Sequence, residues 1–220
     1  MPSPAHSAAK GREVSADLPS SWRIVVLASG SGSNLQALLD AASPDWSVVG
    51  VVTDRPAVGA LDRAELAGIP SAVVSWGDYA DRDAFTEAIA GAADSFRPDL
   101  IVLAGFMRIL GAAAVERFRG RIINIHPSLL PAFKGGHAVH DALDYGVKTT
   151  GVTVHFVDEE LDHGPIIAQE AVEVLAGDDE ATLHARLQKV EHRLLPEVVQ
   201  SLALGQLEVV GRKVEGRVKP

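Results

Sequence analysis

Short runs of aliphatic and β-branched residues alternate along this chain with longer segments whose apolar positions recur every three to four residues. The short runs have the length and composition of buried strands, and the longer segments have the period of amphipathic helices. This alternation is typical of a parallel sheet with helices on its faces. We therefore expect an α/β fold, with one domain built on a mostly parallel, twisted sheet flanked by helices.

The same pattern places the individual elements of the first half of the chain. It predicts strands at 24–28, 48–53, 72–74, 100–103 and 121–125, and helices at 33–42, 61–67, 81–92 and 112–118. A long loop at 126–137 should follow, because its prolines and glycines are incompatible with regular structure.

The last third of the chain breaks the parallel pattern. Two strands at 151–157 and 165–174 bracket a turn at 158–164, which predicts an antiparallel portion near the C-terminus. A helix should then begin near Asp178 and run to about residue 204, with an acidic first turn that suits the positive end of its dipole. Pro196 should kink or divide that helix.

The ends of the chain differ in composition from its centre. Residues 1–22 are rich in Ala, Ser and Pro and lack the apolar segment of a signal peptide, which predicts a disordered N-terminal tail. We expect one catalytic domain over 23–211 and a C-terminal tail over 212–220. No later run reaches the roughly 18 apolar residues that span a bilayer.

Composition narrows the function classes. The 220 residues, 47% of them hydrophobic, suffice for one sizeable core. The formal net charge of −9 disfavours nucleic-acid binding and favours small-molecule substrates. The absence of cysteine excludes disulfides and thiol catalysis, so we expect a cytoplasmic protein.

A glycine-rich loop follows the first predicted strand and opens a helix at Gly32, Ser33 and Asn34. Free N–H groups at a helix start bind anions, which predicts a phosphate site, although a simple tight turn would also use these residues. A dinucleotide site is the weaker hypothesis, because Leu35 replaces the third glycine of that motif. Asp54, at the position of its ribose-binding acid, is then better explained as a turn residue.

Polar residues at the end of another predicted strand suggest chemistry on a carbonyl group. Alternation places Asn124 and His126 on the same side, where both could reach one developing oxyanion. Asp162, in a turn fixed by Gly164 and Pro165, could orient and charge His126. Structural roles, with backbone-satisfied polar groups or an ordinary Asx turn, remain the alternative.

Several histidines, at positions 137, 140, 155 and 163, raise the question of a metal site. Their spacing matches no zinc motif, since His137 and His140 are three residues apart rather than four. We expect no metal.

Four ordered motifs, taken together, resemble the phosphoribosylglycinamide formyltransferases, a folate-dependent family, over about Arg23 to Gly211. They are Ser29–Gln36, Ala104–Leu110, Asn124–Pro131 and Leu161–Pro165. The resemblance implies a formyltransferase, Rossmann-like fold and transfer of a formyl group from 10-formyltetrahydrofolate to the amine of glycinamide ribonucleotide in purine (IMP) biosynthesis. It implies no metal.

The resemblance also implies roles for individual residues. Asn124, His126 and Asp162 would be catalytic, and Gly32, Ser33 and Asn34 would bind the substrate phosphate. Glu191 would contact the ribose, and His137 would lie near the active site. The residues implied in folate binding are Arg82, Met107, Arg108, Ile109, Leu110 and Asn124. The Lys134–Gly135–Gly136 segment departs from the family pattern.

Other functions share parts of these motifs. A 10-formyltetrahydrofolate hydrolase would use the same three catalytic residues with water as the acceptor, but would carry a regulatory domain before the first strand. A methionyl-tRNA formyltransferase would carry a second, basic domain. A binding module without chemistry and a nicotinamide-dependent oxidoreductase fit less well. We expect a monomer or homodimer that acts on small molecules, without nucleic-acid or membrane partners.

Overall fold

A computed structural model describes residues 21–41 and 43–218 of the chain. Most of the expected N-terminal tail lies outside the described residues. Its last residue, Trp22, belongs instead to the first strand and pairs with Trp46 of the second.

Seven strands form one sheet, and they confirm the predicted α/β fold with an antiparallel portion. They are β1 (Trp22–Ala28), β2 (Trp46–Thr53), β3 (Ser71–Val73), β4 (Leu100–Leu103), β5 (Ile122–His126), β6 (Thr149–Phe156) and β7 (Ile166–Glu173). Their order is β3-β2-β1-β4-β5-β6-β7. The first five are parallel, and β6 and β7 run antiparallel to their neighbours.

In the described part of the chain, six α-helices and one turn of 3₁₀ helix accompany these strands; the last helix follows β7, and the others connect strands. They are α1 (Ser33–Asp40), α2 (Gly59–Leu66), a 3₁₀ turn (Trp76–Asp78), α3 (Arg82–Ser95), α4 (Ala112–Arg117), α5 (Ala138–Tyr145) and α6 (Glu180–Ala203). Helix α6 starts with a capping box between Asp179 and Thr182.

Pro196 lies inside α6, so the expectation that it would divide this helix is wrong. Proline removes one N–H donor from the helix ladder. Its neighbours Leu195, Val198 and Val199 are fully buried in the core. Burial of such side chains contributes roughly 1.5–3 kcal/mol each, which outweighs the lost hydrogen bond.

The core consists of two apolar clusters on opposite faces of the sheet. Alternation along β1 sends Ile24 and Val26 to the cluster covered by α1 and α6, and Val25 and Leu27 to the cluster that includes Phe85 of α3. The central strands are therefore buried on both faces, as their unbroken apolar sequences predict.

Two further strands lie near the C-terminus. Strands β8 (Leu207–Val210) and β9 (Lys213–Gly216) form an antiparallel hairpin, so residues 213–216 of the expected C-terminal tail belong to a strand. These strands are short and largely exposed, and therefore lack the apolar runs that identify buried strands in the sequence.

The strand order fixes where a ligand can bind. The chain moves from β1 outward through β2 to β3 and then returns to place β4 on the other side of β1. The connection after β1 therefore leads to one side of the sheet, and the connection after β4 leads to the other side. Where two neighbouring connections diverge in this way, a crevice opens at the carboxyl ends of the strands. The loops after β1, β4 and β5 meet there.

Candidate active site

A cavity of about 480 Å³ lies at this carboxyl edge of the sheet. The loop after β1, the segment after β4, the end of β5, the 135–136 glycines, the turn before β7 and one face of α6 line it. Its polar wall includes Ser33, Asn34, Asn124, His126, Asp162 and Glu191. The structure thus brings together the residues expected for catalysis, for phosphate binding and for ribose binding.

The phosphate end of the cavity is the start of α1. Gly32 is the N-cap residue, with a φ of 72° and no side-chain cap on the helix. The first backbone N–H groups of a helix have no partner within it, so Ser33 and Asn34 present N–H groups to the cavity at the positive end of the helix dipole. This arrangement fits an anionic group.

Asn34 and Glu191 connect α1 with α6 beside this anion site. The Asn34 Nδ2 atom donates a hydrogen bond of 2.9 Å to Glu191 Oε2, and both side chains are buried. The Asn34 Oδ1 atom is buried without a partner. Gln188 and His184 line the cavity from the same face of α6, and neither was among the residues predicted from the sequence. They precede Glu191 by three and seven residues, a spacing that places all three on one helix face. This spacing is the signal in the sequence that could have identified them.

His126 ends β5 and is almost completely buried. Its Nε2 atom donates to the Phe133 carbonyl oxygen at 2.8 Å, which leaves Nδ1 as the nitrogen available for proton exchange. The Nδ1 atom lies 3.5 Å from Asp162 Oδ2. The long 126–137 loop therefore contributes to the site directly, because the Phe133 carbonyl orients the imidazole.

Asp162 lies at the centre of the polar cluster and has a φ of 46°, a conformation uncommon for a non-glycine residue. The Gly135 N–H donates to its Oδ2 at 2.7 Å, and Asn124 Nδ2 lies 3.4 Å from its Oδ1. Burial raises the pKa of Asp162. Three effects act in the opposite direction: contact with His155, the hydrogen bond from Gly135 and the charge of His126. Their sum is larger than the effect of burial, so the pKa is lowered to about 2. The carboxylate is therefore charged at neutral pH.

His155, one of the histidines considered above for a metal site, is a fourth member of this cluster. Its Nδ1 donates to the Phe156 carbonyl at 2.7 Å, and its Nε2 lies 3.2 Å from Asn124 Nδ2. That nitrogen also lies 3.7 Å from Asp162 Oδ1. The pairing of Asn124 with His155 across β5 and β6 brings the two side chains together.

The opposite wall of the cavity is apolar and comes from the segment after β4. Met107, Arg108 and Ile109 line the cavity, and the side chains of Met107 and Ile109 are 59% and 52% exposed. Ser29 fixes this segment, because its Oγ accepts a hydrogen bond of 2.9 Å from the Met107 N–H. Leu110, also expected in this wall, is not among the lining residues and packs against the core cluster of Phe85.

Two further expected residues lie away from the cavity wall. Arg82 begins α3 with a side chain that is 58% exposed and 3.9 Å from Asp83. His137 is exposed at the N-cap of α5. Neither residue lines the cavity.

Asp54 lies in the bend that follows β2, as the sequence predicts, but it is buried rather than exposed there. Its carboxylate is fully buried at the end of β2, and Arg108 Nε donates to its Oδ2 at 2.8 Å. Because the carboxylate has no exposed surface and one of its oxygens pairs with Arg108, it is not accessible to a ribose, which counts against the dinucleotide hypothesis.

Within residues 21–41 and 43–218, no group of three or more histidine, aspartate or glutamate side chains is arranged to hold a metal ion. In the same part of the chain, no helix has the length and apolar character needed to cross a membrane.

Comparisons with known proteins agree with this geometry. Residues 22–199 match the family model described as formyl transferase. A phosphoribosylglycinamide formyltransferase of Mycobacterium tuberculosis is 54% identical over 192 residues, which cover 86% of this chain and 89% of that protein. The trifunctional purine biosynthetic protein adenosine-3 of Bos taurus is 46% identical over 194 residues, which cover 87% of this chain and 19% of that protein.

A crystal structure of glycinamide ribonucleotide transformylase 1 from Symbiobacterium toebii superposes with a TM-score of 0.86 at 44% identity, covering 89% of this chain and 94% of that one. The fold, the match over most of the chain and the high identity to relatives together lead to one conclusion. This chain belongs to the formyl transferase family.

Proposed function

We propose that the protein transfers the formyl group of 10-formyltetrahydrofolate to the amine of phosphoribosylglycinamide. The products are formylglycinamide ribonucleotide and tetrahydrofolate, and the reaction belongs to purine biosynthesis. The names of relatives that match most of this chain support the reaction. The observation that carries the proposal is a single cavity that joins the start of α1 to the cluster of Asn124, His126 and Asp162.

The two ends of the cavity suit the two substrates. The N–H groups at Gly32, Ser33 and Asn34 would hold the ribonucleotide phosphate, and Glu191 would accept hydrogen bonds from the ribose hydroxyls. A buried carboxylate acceptor and free N–H donors match a sugar phosphate, which has hydroxyl donors and phosphate oxygen acceptors. Binding here directs the glycinamide amine toward Asn124.

The folate would occupy the apolar wall. Exposed Met107 and Ile109 side chains offer surface for its ring system, with the Arg108 backbone and side chain beside them. The family resemblance also assigns Leu110 and Arg82 to folate binding, and His137 to the active site. We propose these roles as well, although none of the three residues lines the cavity in this structure.

The chemical step is attack of the amine nitrogen on the formyl carbon. A C–N bond forms, and the carbonyl oxygen becomes a tetrahedral oxyanion. The bond from this carbon to the folate nitrogen then breaks, and the proton lost by the amine passes to that leaving nitrogen. Donors placed where the negative charge develops accelerate such reactions.

Asn124 and His126 supply those donors. The Asn124 amide nitrogen lies in the polar cluster at the cavity wall, where it can donate to the oxyanion. Protonated His126 adds positive charge and a transferable proton at Nδ1, and the Asp162 carboxylate 3.5 Å away favours this charged state. Asp162 is also placed to pass protons between the amine and the leaving nitrogen.

The same geometry explains why we expect a small-molecule enzyme rather than a nucleic-acid-binding protein. The cavity is compact, and the chain has a net charge of −9. We further propose that the protein acts in the cytoplasm without a metal, as a monomer or homodimer.

The direct test uses purified full-length protein with both substrates in a chelator-treated buffer. We expect formylglycinamide ribonucleotide by mass spectrometry in equal amount to tetrahydrofolate. Omission of the amine substrate should abolish release of tetrahydrofolate. Release at an unchanged rate without the amine would establish a hydrolase instead, and absence of both products would reject the proposed reaction.

A further inference from the structure

The ion pair between Asp54 and Arg108 joins the interior of the protein to the cavity wall. The Asp54 side chain has no exposed surface, whereas the Arg108 side chain is 31% exposed and lines the cavity. Arg108 Nε donates a hydrogen bond of 2.8 Å to Asp54 Oδ2. The guanidinium is therefore held through its inner nitrogen, and within residues 21–41 and 43–218 its two outer nitrogens make no hydrogen bond or ion pair.

Two further residues shape this arrangement. The Trp76 ring lies 5.0 Å from the Arg108 guanidinium carbon and provides a flat surface for the cation. Arg55 approaches Asp54 from the exposed side at 3.8 Å, beyond hydrogen-bond distance. Arg108 is thus the close partner of the Asp54 carboxylate, and Trp76 limits the directions that its side chain can take.

A buried carboxylate at this position needs an explanation. Charged groups are rarely buried without a partner, because loss of hydration is costly. The second oxygen of Asp54 is buried without a hydrogen bond. Stability alone would favour a neutral residue here, so the charge is better explained by what it does to Arg108.

We propose that Asp54 is a positioning residue for folate binding, which acts by holding the Arg108 guanidinium at the cavity wall. An arginine fixed at Nε loses less conformational entropy when its outer nitrogens bind an anionic or acceptor group of the ligand. The proposal rests on the proposed function, since it assumes that this wall binds the folate. Asp54 does not reach the reacting atoms.

The test compares Asp54→Asn with the unaltered protein. The variant removes the charge while keeping the shape of the side chain. We expect KM for 10-formyltetrahydrofolate and the Kd for tetrahydrofolate to rise roughly tenfold, the scale of a weakened charge-assisted hydrogen bond. The kcat and the KM for the ribonucleotide should stay within about twofold. Asp62→Asn, on exposed α2, is the matched control.

A double-mutant cycle separates positioning from a general structural effect. Arg108→Gln should raise the same Kd, and adding Asp54→Asn to it should cause little further change, because Asp54 acts through Arg108. Asp54→Ser provides a second neutral variant should Asp54→Asn prove insoluble, and thermal unfolding checks that each variant is folded.

An unchanged Kd in folded Asp54→Asn protein, or an undiminished effect in the Arg108→Gln background, would overturn the proposal. Failure of the unaltered protein to make formylglycinamide ribonucleotide would instead reject the proposed function. The two failures are therefore distinguishable.

Discussion

The Nδ1 atom of His126 lies 3.5 Å from Oδ2 of Asp162, and both side chains are more than nine-tenths buried. The imidazole cannot turn freely, because its other nitrogen donates to the Phe133 carbonyl. The carboxylate is fixed in turn by the Gly135 N–H. The carboxylate and the imidazole are therefore held facing each other, which is the arrangement that the proposed proton transfer requires.

Replacement of Asp162 tests this relationship. Asp162→Asn keeps the size of the side chain but removes the negative charge that lies 3.5 Å from His126 Nδ1. We expect kcat to fall roughly 10²- to 10⁴-fold, as for loss of a general acid or base, with smaller changes in both KM values. Steady-state kinetics with saturating substrates measures this.

Asp158→Asn is the matched control, because Asp158 lies in the same turn but contacts His163 instead of the cavity. We expect its kcat to remain close to that of the unaltered protein. If Asp162→Asn retained near-normal turnover in folded protein, Asp162 would have no part in proton transfer.

The lowered pKa of Asp162 also predicts a pH-dependent contribution to stability. The folded-state pKa of about 2 lies below the ordinary value of 3.8. A depressed pKa means that the folded state favours the charged form, so the stabilisation is complete above about pH 4 and is lost as the pH falls toward 2. At 1.36 kcal/mol per pH unit the shift corresponds to roughly 2 kcal/mol.

Urea unfolding of the unaltered protein and of Asp162→Asn between pH 6 and pH 2.5 measures this contribution. We expect the difference in unfolding free energy to be constant down to about pH 4.5 and to narrow below it. A difference that stays constant across the whole range would mean that the carboxylate has an ordinary pKa in the folded protein.

The sequence predicts the main elements of the fold well because the strands are buried on both faces. Leu100–Leu103 is found with the predicted bounds, since four consecutive apolar residues after a proline turn have few alternatives. The β8–β9 hairpin was missed for the opposite reason. Its exposed residues do not form the apolar pattern by which a buried strand is recognised in a sequence. The pairing of the two strands depends on a two-residue turn at Gly211 and Arg212.

Within the site, local pattern places Asn124 and His126, since alternation along one strand puts both at the cavity. It cannot supply His155, which reaches Asn124 only through the register of an antiparallel partner strand. It also cannot show that a turn aspartate is buried and paired, as Asp54 illustrates. Both facts depend on residues far apart in sequence.

The Asn34–Glu191 hydrogen bond leads to a prediction on substrate affinity. Glu191→Gln keeps the shape and an acceptor oxygen but removes the charge that would bind the ribose hydroxyls. We expect KM for the ribonucleotide to rise roughly tenfold or more, the scale of a hydrogen bond to a charged group, with an unchanged KM for 10-formyltetrahydrofolate.

Glu197→Gln, on the same helix but outside the cavity, is the control for this measurement. It should leave both KM values unchanged. Equal increases in the two KM values for Glu191→Gln would indicate a general distortion of the cavity instead of a ribose contact.

The glycine-rich loop provides a prediction in which two neighbouring glycines should behave differently. Gly32 has a φ of 72°, and a Cβ there would lie 2.7 Å from the Ala60 Cα on α2. At Gly30 no atom lies within 4 Å of an added Cβ, and its φ is not in the positive region.

Gly32→Ala should therefore lower the unfolding free energy by about 1–2 kcal/mol from backbone strain alone, and by more where α2 cannot move. Gly30→Ala should change it by less than about 0.5 kcal/mol, as at an unstrained surface position. Denaturant unfolding of both variants measures the contrast, and equal stabilities would show that the start of α1 tolerates a side chain at Gly32.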